Sequence, residues 1–316
     1  MRIYKDLNNL PAFKNAVLTI GSFDGVHIGH QQIIQQINDL AKSIDGESVL
    51  ITFDPHPRVV VGKQQSDLKL LNTLEEKANL LERCAVDVLV VVPFSKEFAS
   101  QSPNAYIQDF LVTHFQPKII AIGYDHKFGQ NRVGDISYLK KFEQKHDFKV
   151  VEISKQEVAD IAVSSTKVRR ALMQGDVHKA GRLLGHPFGI TGIVVKGLQI
   201  GTTIGYPTAN IEVKHPYKLI PPEGIYAVWV IYDNKRYQGM LYIGNRPTID
   251  HDLKQTIEVN IFDFNQDIYG KELKVEFIEY LRGDVKFTTI EALKDQLTQD
   301  KQAALNVFEA RKKIEL

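Results

Sequence analysis

The pattern of apolar residues changes near residue 185, and this change constrains the fold more than any other feature of the sequence. Before it, short runs that are apolar throughout alternate with helical patterns. After it, glycine-punctuated runs alternate apolar and polar residues, with no helix between them. Continuous apolar runs are typical of parallel strands covered on both faces, whereas alternation is typical of antiparallel strands covered on one. The 316 residues suffice for two domains of about 150 residues each.

The first half predicts a β-α-β series, and therefore a doubly wound parallel α/β sheet. Thr73 and Glu76 form a capping box ahead of one helix, and Ser102-Pro103 supplies a cap and a first-turn proline for another. Two short helices are predicted next, each followed by a glycine. The first runs from Ser164 or Ser165 to about Gln174 and the second from Asp176 to about Leu184. The predicted strands cover residues 16–21, 47–53, 86–94, 117–123 and 148–154.

The second half predicts five or six antiparallel strands, which suggest a small closed β-barrel. Asp233-Asn234 between two of these runs is a hairpin signal. The tail predicts a long amphipathic helix with apolar residues at Ile290, Leu293, Leu297, Ala304 and Phe308. We therefore expect one domain over residues 1–184 and a second over residues 185–316.

Composition narrows the partners and the compartment. The 39 Lys and Arg residues nearly balance the 38 Asp and Glu residues, for a formal charge of +1. This balance argues against nucleic acid or an anionic membrane as a partner, since either needs a concentrated positive face. The single Cys84 cannot form an internal disulfide, and the longest apolar run, Val88–Phe94, is too short to span a bilayer. The prediction is a cytoplasmic protein, with its oligomeric state left open.

The segment Gly21–His30, GSFDGVHIGH, connects the first predicted strand to a predicted helix. A helix N-terminus offers unpaired amides to an anion, and glycines let a phosphate approach the backbone. His27 and His30 are three residues apart and can face one phosphate. A histidine that titrates near neutrality can donate hydrogen bonds to the charge that develops as a phosphoanhydride breaks. The alternative for each is a satisfied surface or core histidine.

A second candidate phosphate site lies in the segment VSSTKVRRAL, residues 163–172. Three hydroxyls stand at the predicted helix start and two arginines about one turn further on, a geometry suited to pyrophosphate. The alternative is an ordinary capped surface helix. The residues concerned are Ser164, Ser165, Thr166, Arg169 and Arg170.

The second half carries a third candidate site, in the loop Gly201–Asn210, GTTIGYPTAN. The Thr208 hydroxyl and the Asn210 amide oxygen are hard ligands suited to Mg²⁺. Glu258 alternates onto the face opposite Val259, where a carboxylate at the barrel mouth could take a proton from a primary alcohol. The alternatives are a plain β-turn and a solvated strand carboxylate.

These motifs carry a family resemblance. His-x-Gly-His after the first strand and Ser-Ser-Thr-x-x-Arg late in the first domain resemble nucleotidylyltransferase signatures. With TFDPHP, LLNTLEEK, GYDHKFGQNRVGD and the PTAN of the second half, the chain resembles the prokaryotic bifunctional riboflavin kinase/FMN adenylyltransferase (FAD synthetase) family over essentially its whole length. These separate motifs occur in the order of that family.

For the first domain, the resemblance implies adenylylation of FMN by ATP to give FAD and pyrophosphate. His27, His30 and Arg169 would be catalytic, with Mg²⁺ bridging phosphate oxygens. Asp54 and His56 have an alternative as turn residues, because Asp-Pro and His-Pro are loop signals. The implied ATP contacts are Gly21, Ser22, Phe23, Asp24, Gly29, Ser164, Ser165 and Thr166. The implied flavin contacts are Asp54, His56, Pro57, Asp125, Phe128 and Arg132.

For the second domain, the resemblance implies ATP-dependent phosphorylation of riboflavin to FMN. Thr208 and Asn210 would bind Mg²⁺ and the ATP phosphates, and Glu258 would activate the ribityl 5′-hydroxyl. Four residues depart from the family pattern: Thr202, Tyr242, Asn260 and Asp284. They leave open a monofunctional FMN adenylyltransferase whose kinase-like domain only binds flavin. Two further alternatives are an idle flavin-binding regulator and an enzyme that adenylylates or cytidylylates another phosphate.

Overall fold

The structure, a computed structural model, describes residues 1–62, 68–123, 126–153, 163–197, 200–247 and 253–312. Its internal contacts divide the chain into two compact units, Met1–Ser164 and Ser165–Leu316. The predicted division after residue 184 lies one helix pair further along the chain. The two units are described separately below.

The first unit is built on a parallel sheet with strand order β1-β4-β3-β2-β5-β6. The predicted doubly wound sheet is confirmed, and its five predicted strands are present. β1 was not predicted, because three residues at a sheet edge carry too little periodicity to be recognised. The strands are β1 (Arg2–Tyr4), β2 (Val17–Ile20), β3 (Ser48–Asp54), β4 (Val88–Pro93), β5 (Ile119–Gly123) and β6 (Lys149–Ile153).

Both faces of this sheet are covered, which explains why its strands are apolar throughout. Along β4, Val88, Val90 and Val92 belong to one buried cluster, whereas Leu89 and Val91 belong to another. The α-helices that flank the sheet are Ile28–Ser43, Pro57–Val61, Leu74–Arg83, Lys96–Ala99, Pro103–Ala105, Thr113–Phe115, Ile136–Lys140 and Glu143–His146. A π-helical segment, Tyr106–Val112, and 3₁₀ turns at Leu7–Asn9 and Gln130–Arg132 complete the unit.

Both predicted helix starts in this unit are confirmed. The Thr73 hydroxyl accepts from the Glu76 amide at 3.2 Å, and the Glu76 carboxylate accepts from the Thr73 amide at 3.0 Å. The Ser102 hydroxyl accepts from the Ala105 amide at 3.2 Å, one residue before Pro103 begins its helix. Side-chain caps of this kind satisfy amides that the helix itself leaves unpaired.

The second unit begins with the helices Ser165–Met173 and Val177–Leu184 and continues as a closed barrel of order β10-β11-β8-β7-β12-β9. The predicted antiparallel barrel is confirmed. Asp233 and Asn234 have φ values of 49° and 57°, as a tight hairpin turn requires. The strands are β7 (Gly189–Val195), β8 (Ala209–Glu212), β9 (Gly224–Tyr232), β10 (Lys235–Pro247), β11 (Leu253–Ile261) and β12 (Glu272–Arg282), with a short helix at Ile200–Thr203.

The predicted C-terminal helix spans Ile290–Lys312 and packs on the outside of the barrel. Ala304 and Phe308 are buried there, and the Phe308 ring lies 4.6 Å from the Trp229 ring. Ile290 is 62% exposed, so its assignment to the apolar stripe was wrong: the helix has only begun at this residue. Within the described ranges, none of the helices has the length and apolar character needed to cross a membrane.

A bidentate ion pair fastens this helix to β12. Arg282 donates to both Asp300 carboxylate oxygens, at 2.7 Å and 2.6 Å, and Asp300 is only 3% exposed. We expect Asp300→Ala to lower the free energy of unfolding by about 3 kcal/mol, because a half-buried guanidinium loses its partner. Urea unfolding followed by fluorescence of Trp229, the one tryptophan of the sequence, measures the loss. Asp295→Ala, at an exposed position of the same helix, should change it by less than about 0.5 kcal/mol.

Candidate functional site

The loop between β2 and the helix Ile28–Ser43 has an unusual backbone. Phe23, Gly25 and Val26 all have positive φ, at 47°, 89° and 39°. A β-branched valine in this region is strained, and such strain persists only where the surroundings impose it. The Val26 amide donates a hydrogen bond of 3.1 Å to the Phe23 carbonyl and so closes a turn. His27 follows this turn and occupies the N-cap position of the helix.

The structure brings the two predicted histidines together. Nδ1 of His27 accepts from the His30 amide at 3.3 Å, and the two rings stack with centroids 3.6 Å apart. The Phe23 ring packs edge-on against His30, with ring centroids 5.2 Å apart. His27 and His30 therefore form one paired surface at a helix N-terminus, as the sequence predicted.

His30 is neutral in this arrangement. Burial, then the charge of His27, then that of Lys77 lower the pKa of His30 well below its ordinary value. The expectation of a histidine titrating near neutrality is therefore wrong for His30 in the ligand-free protein, because desolvation penalises the imidazolium. Its Nδ1 is buried and has no hydrogen-bond partner among the residues that the structure describes, so the ring keeps hydrogen-bonding capacity for a ligand.

Asp24 anchors the same loop from beneath. Its side chain is 2% exposed, and Oδ1 accepts from the amides of Leu71 and Asn72 at 2.9 Å and 3.2 Å. This geometry ties the loop to the turn that precedes the capped helix Leu74–Arg83. The predicted contact of Asp24 with ATP stays a prediction.

A cleft of about 840 Å³ opens beside this loop in the first unit. Gly21 and Ser22 line one part of it. Its aromatic wall includes Phe53, whose ring lies 5.3 Å from Phe94 and 5.7 Å from Phe98. Tyr106 and Phe128 stack at 5.0 Å, and the cationic side chains at the wall are Arg58, Lys96, Lys127 and Arg132. An aromatic wall with nearby cations suits a flat ring system that carries phosphate.

Most of the residues predicted near the flavin lie in this wall: His56, Pro57, Phe128 and Arg132. Nδ1 of His56 accepts from the Arg58 amide at 3.1 Å and caps the helix Pro57–Val61, so the turn-residue alternative describes part of its role. Asp54 ends β3 but is not among the residues that line the cleft. Asp125 lies outside the described residues.

Sequence reasoning missed Phe53, Phe94, Phe98 and Tyr106 as cleft residues. For Phe53 and Phe94, their positions at the ends of predicted strands could have indicated this role. Phe53 lies near the carboxyl end of β3 and Phe94 directly follows β4, and ligands of open α/β sheets bind outside the carboxyl ends of strands.

The second predicted phosphate site forms the start of the helix Ser165–Met173. Ser165 opens the helix, and Arg169 follows about one turn later with a half-buried side chain. Val168, Ala171 and Leu172 form the buried face, so Thr166 is left at the exposed surface. The role of Ser164, Ser165, Thr166 and Arg169 on the same triphosphate as the histidines stays a prediction.

In the barrel, the structure assembles the predicted Thr208, Asn210 and Glu258. The Thr208 hydroxyl donates to Oε2 of Glu258 at 3.2 Å, and Asn210 pairs directly with Glu258 across β8 and β11. Directly paired residues project from the same face, so the two side chains are neighbours. Val259 is fully buried, which places this row on the opposite face of the strand as predicted.

Two glycines make room for this site. A Cβ atom at Gly197 would come within 2.1 Å of Nδ2 of Asn210, and one at Gly201 would come within 2.2 Å of the Tyr206 carbonyl oxygen. Both contacts are far below van der Waals distance. The close approach therefore requires glycine at these two positions.

The donor set suits Mg²⁺. The Thr208 hydroxyl and the Asn210 amide oxygen are hard oxygen ligands of the kind that Mg²⁺ accepts together with substrate phosphates and water. Among the described residues, no three His, Cys, Asp or Glu side chains are placed to hold a metal by themselves. The site fits a metal that enters with a nucleotide.

The residues that depart from the family pattern have structural partners of their own. Nδ2 of the buried Asn260 donates to the Pro207 carbonyl at 2.7 Å and so holds the start of the PTAN segment. Tyr242 pairs with Glu258 across β10 and β11, and its hydroxyl donates to the Asp284 carboxylate. The Thr202 side chain lies outside the described residues.

Tyr242 should lose its proton at a higher pH than an ordinary tyrosine. Burial, followed by Asp284, Glu258 and Glu223, raises the pKa of Tyr242 to about 12, because each carboxylate disfavours the phenolate. We expect Asp284→Asn to lower the pKa of Tyr242 part of the way toward its ordinary value, because burial, the largest cause, remains. The difference in tyrosinate absorbance between the native protein and Tyr242→Phe isolates this group, with circular dichroism recorded at each pH as the control for folding. Titration of native Tyr242 together with exposed tyrosines would contradict the prediction.

Comparison with known proteins gives concordant results. The FAD synthetase family model matches residues 10–167, and the riboflavin kinase family model matches residues 184–308. Bifunctional riboflavin kinase/FMN adenylyltransferases are 38% identical in Listeria monocytogenes, over 91% of both chains, and 37% identical in Bacillus subtilis, over 93% of this chain and 92% of that one. A crystal structure described as a macrolide-efflux protein from Streptococcus pneumoniae superposes with a TM-score of 0.86 at 32% identity, over 96% of this chain and 98% of that one.

Proposed function

This chain belongs to the bifunctional riboflavin kinase/FMN adenylyltransferase family, and from that premise we propose that it makes FAD in two steps. In the first, the barrel phosphorylates riboflavin with ATP and gives FMN and ADP. In the second, the amino-terminal unit joins FMN to the AMP moiety of ATP and releases pyrophosphate. Its substrates are small molecules, and a cytoplasmic location and a division after residue 184 are parts of the proposal.

For adenylyl transfer, an oxygen of the FMN phosphate attacks the α-phosphorus of ATP as the bond from that phosphorus to the bridging oxygen of pyrophosphate breaks. The reaction needs positioning and charge stabilisation more than proton transfer. The paired His27 and His30 and the amides at the helix start can contact the phosphates. The aromatic cleft beside Gly21 and Ser22 can hold the isoalloxazine ring and exclude water from it. Arg169 would neutralise the departing pyrophosphate.

For phosphoryl transfer, the ribityl 5′-oxygen bonds to the γ-phosphorus as the bond to ADP breaks. Glu258 accepts the hydroxyl proton, and the hydrogen bond from Thr208 holds its carboxylate in place. Mg²⁺, when bound through Thr208 and Asn210, would neutralise charge on the phosphates. The observation that carries the kinase proposal is this Thr208–Glu258–Asn210 arrangement.

The competing functions have less support. A monofunctional adenylyltransferase does not correspond to the relatives, which are bifunctional over nearly the whole chain. An idle regulator would have no need of the intact histidine pair and the Thr208–Glu258 contact. An enzyme for another phosphate is disfavoured by the attached riboflavin kinase domain. The description of the Streptococcus pneumoniae structure applies to that protein alone. Its superposition on this chain supports only the fold.

The direct test follows riboflavin, FMN and FAD separately by chromatography in reactions with ATP and Mg²⁺. We expect riboflavin to pass through FMN to FAD, and added FMN to give FAD and pyrophosphate without a lag. Failure to form FAD from FMN under both oxidising and reducing conditions would overturn the adenylyltransferase. Formation of FAD from FMN but not from riboflavin would establish the monofunctional alternative.

A further inference from the structure

Lys77 is a buried lysine that takes no part in the two reaction steps described above. It lies in the capped helix Leu74–Arg83 and is only 5% exposed. Lysine is rarely buried without partners, because removing an ammonium group from water is costly. Its position within the adenylyltransferase unit therefore requires an explanation in terms of what it contacts.

A chain of two hydrogen bonds connects Lys77 to the Gly21–His27 loop. Its Nζ donates to Oγ1 of Thr52 at 3.2 Å, and the same hydroxyl donates to the Ser22 carbonyl at 3.3 Å. A threonine hydroxyl can accept and donate at once, so both bonds can exist together. Thr52 is fully buried in β3, whereas Ser22 lines the cleft. The Lys77 ammonium is thus linked to the backbone of the Gly21–His27 loop through the Thr52 hydroxyl of β3.

Charge links Lys77 to the same loop by a second route. Asp24 and Asp54 both act to raise the pKa of Lys77, although burial outweighs them and lowers it overall. Lys77 in turn contributes to the lowered pKa of His30. The ammonium therefore interacts electrostatically with two carboxylates and with His30 of the histidine pair.

We propose that Lys77 is a positioning residue of the adenylyltransferase site: it holds the Ser22 backbone through Thr52 and balances Asp24 and Asp54, so that the loop can receive a triphosphate. The inference rests on the proposed adenylyl transfer. Without this cation, the carboxylates of Asp24 and Asp54 would repel the phosphates of ATP, and the hydrogen-bond chain from Lys77 through Thr52 to the Ser22 carbonyl would be lost. The hydrogen bonds from the Leu71 and Asn72 amides to Asp24 would remain.

The first test is Lys77→Met, which keeps the length of the side chain and removes its charge. We expect kcat/KM for ATP in FAD formation to fall about tenfold or more, because a charge-assisted hydrogen bond and a charge balance are lost together. The KM for FMN should change much less, whereas a collapsed domain would affect both substrates. The matched control is Arg83→Met, which removes an exposed cation from the same helix and should leave the activity unchanged.

A second pair of variants keeps the test valid if Lys77→Met fails to fold. Thr52→Val removes the linking hydroxyl at nearly constant volume, and Thr52→Ser restores it. We expect Thr52→Val to lower kcat/KM for ATP and Thr52→Ser to recover most of that loss. The double variant Lys77→Met/Thr52→Val should lose no more than the worse single variant, because both changes break one chain.

The outcomes separate the inference from the proposed function. If the native protein forms no FAD, the proposed function fails. If it forms FAD, while Thr52→Val and a folded Lys77→Met both stay within about twofold of it, the positioning role is overturned. Equal losses in Thr52→Val and Thr52→Ser would also overturn it, because the hydroxyl would then be irrelevant.

Discussion

Replacing His30 with alanine is expected to lower FMN adenylylation by roughly 10²- to 10³-fold, the usual cost of removing one preorganised donor from a site of developing charge. The ring stacks on that of His27 with centroids 3.6 Å apart and lies at a helix N-terminus. Because burial keeps His30 neutral before ligand binds, the main loss should appear in kcat rather than in KM for ATP. Pyrophosphate release from FMN and ATP measures it.

Two comparisons make this result specific to His30. Riboflavin phosphorylation by the same preparation should be unchanged, since it depends on the barrel. His178→Ala removes a histidine whose side chain is 52% exposed and lies 3.7 Å from the Glu279 carboxylate, and it should leave both activities intact. If His30→Ala keeps adenylyl transfer within a few-fold of native, the histidine pair is not part of the catalytic machinery.

Replacing Glu258 with glutamine is expected to lower riboflavin phosphorylation by roughly 10²- to 10⁴-fold, the range for loss of a general base. Glutamine has nearly the same shape and can still accept the hydrogen bond that Thr208 donates at 3.2 Å. It cannot take a proton at neutral pH. The loss should therefore appear in kcat for FMN formation, with the barrel still folded.

The control for Glu258→Gln is Glu272→Gln, at the exposed start of β12. That change should leave FMN formation as it was, and neither variant should alter the conversion of added FMN to FAD. Together with His30→Ala, these variants predict a double dissociation, in which each unit loses one activity alone. Robust riboflavin turnover in Glu258→Gln would show that the proton goes elsewhere.

Local signals predicted much of this fold because they act over a few residues. The capping box of Thr73 and Glu76 satisfies amides within one helical turn, and Asp233-Asn234 tolerates positive φ in a two-residue hairpin. Apolar runs covered on both faces predicted the parallel sheet, and alternating runs predicted the barrel. β1 was not predicted, because its three residues form a strand only through pairing with β4.

The candidate sites were predictable where the motif itself is local, as with His27 and His30 at the start of one helix. Lys77 was not, because LEEKANLLER is an ordinary amphipathic helix until its packing is known. Nothing in the order of residues shows that this ammonium is buried against Thr52, which lies 25 positions earlier. The cleft aromatics, such as Phe98 and Tyr106, come together for the same reason.

The sequence by itself thus determined the two architectures and the helix starts and predicted candidate phosphate-binding residues, since periodicity and capping are properties of neighbouring residues. The tertiary structure decided which side chains lose water and which charges meet. It lowered the pKa of His30, buried Lys77 against Thr52 and brought Tyr242 near Glu258 and Asp284. Desolvation and Coulomb interactions depend on distances through space, which the order of residues along the chain does not contain.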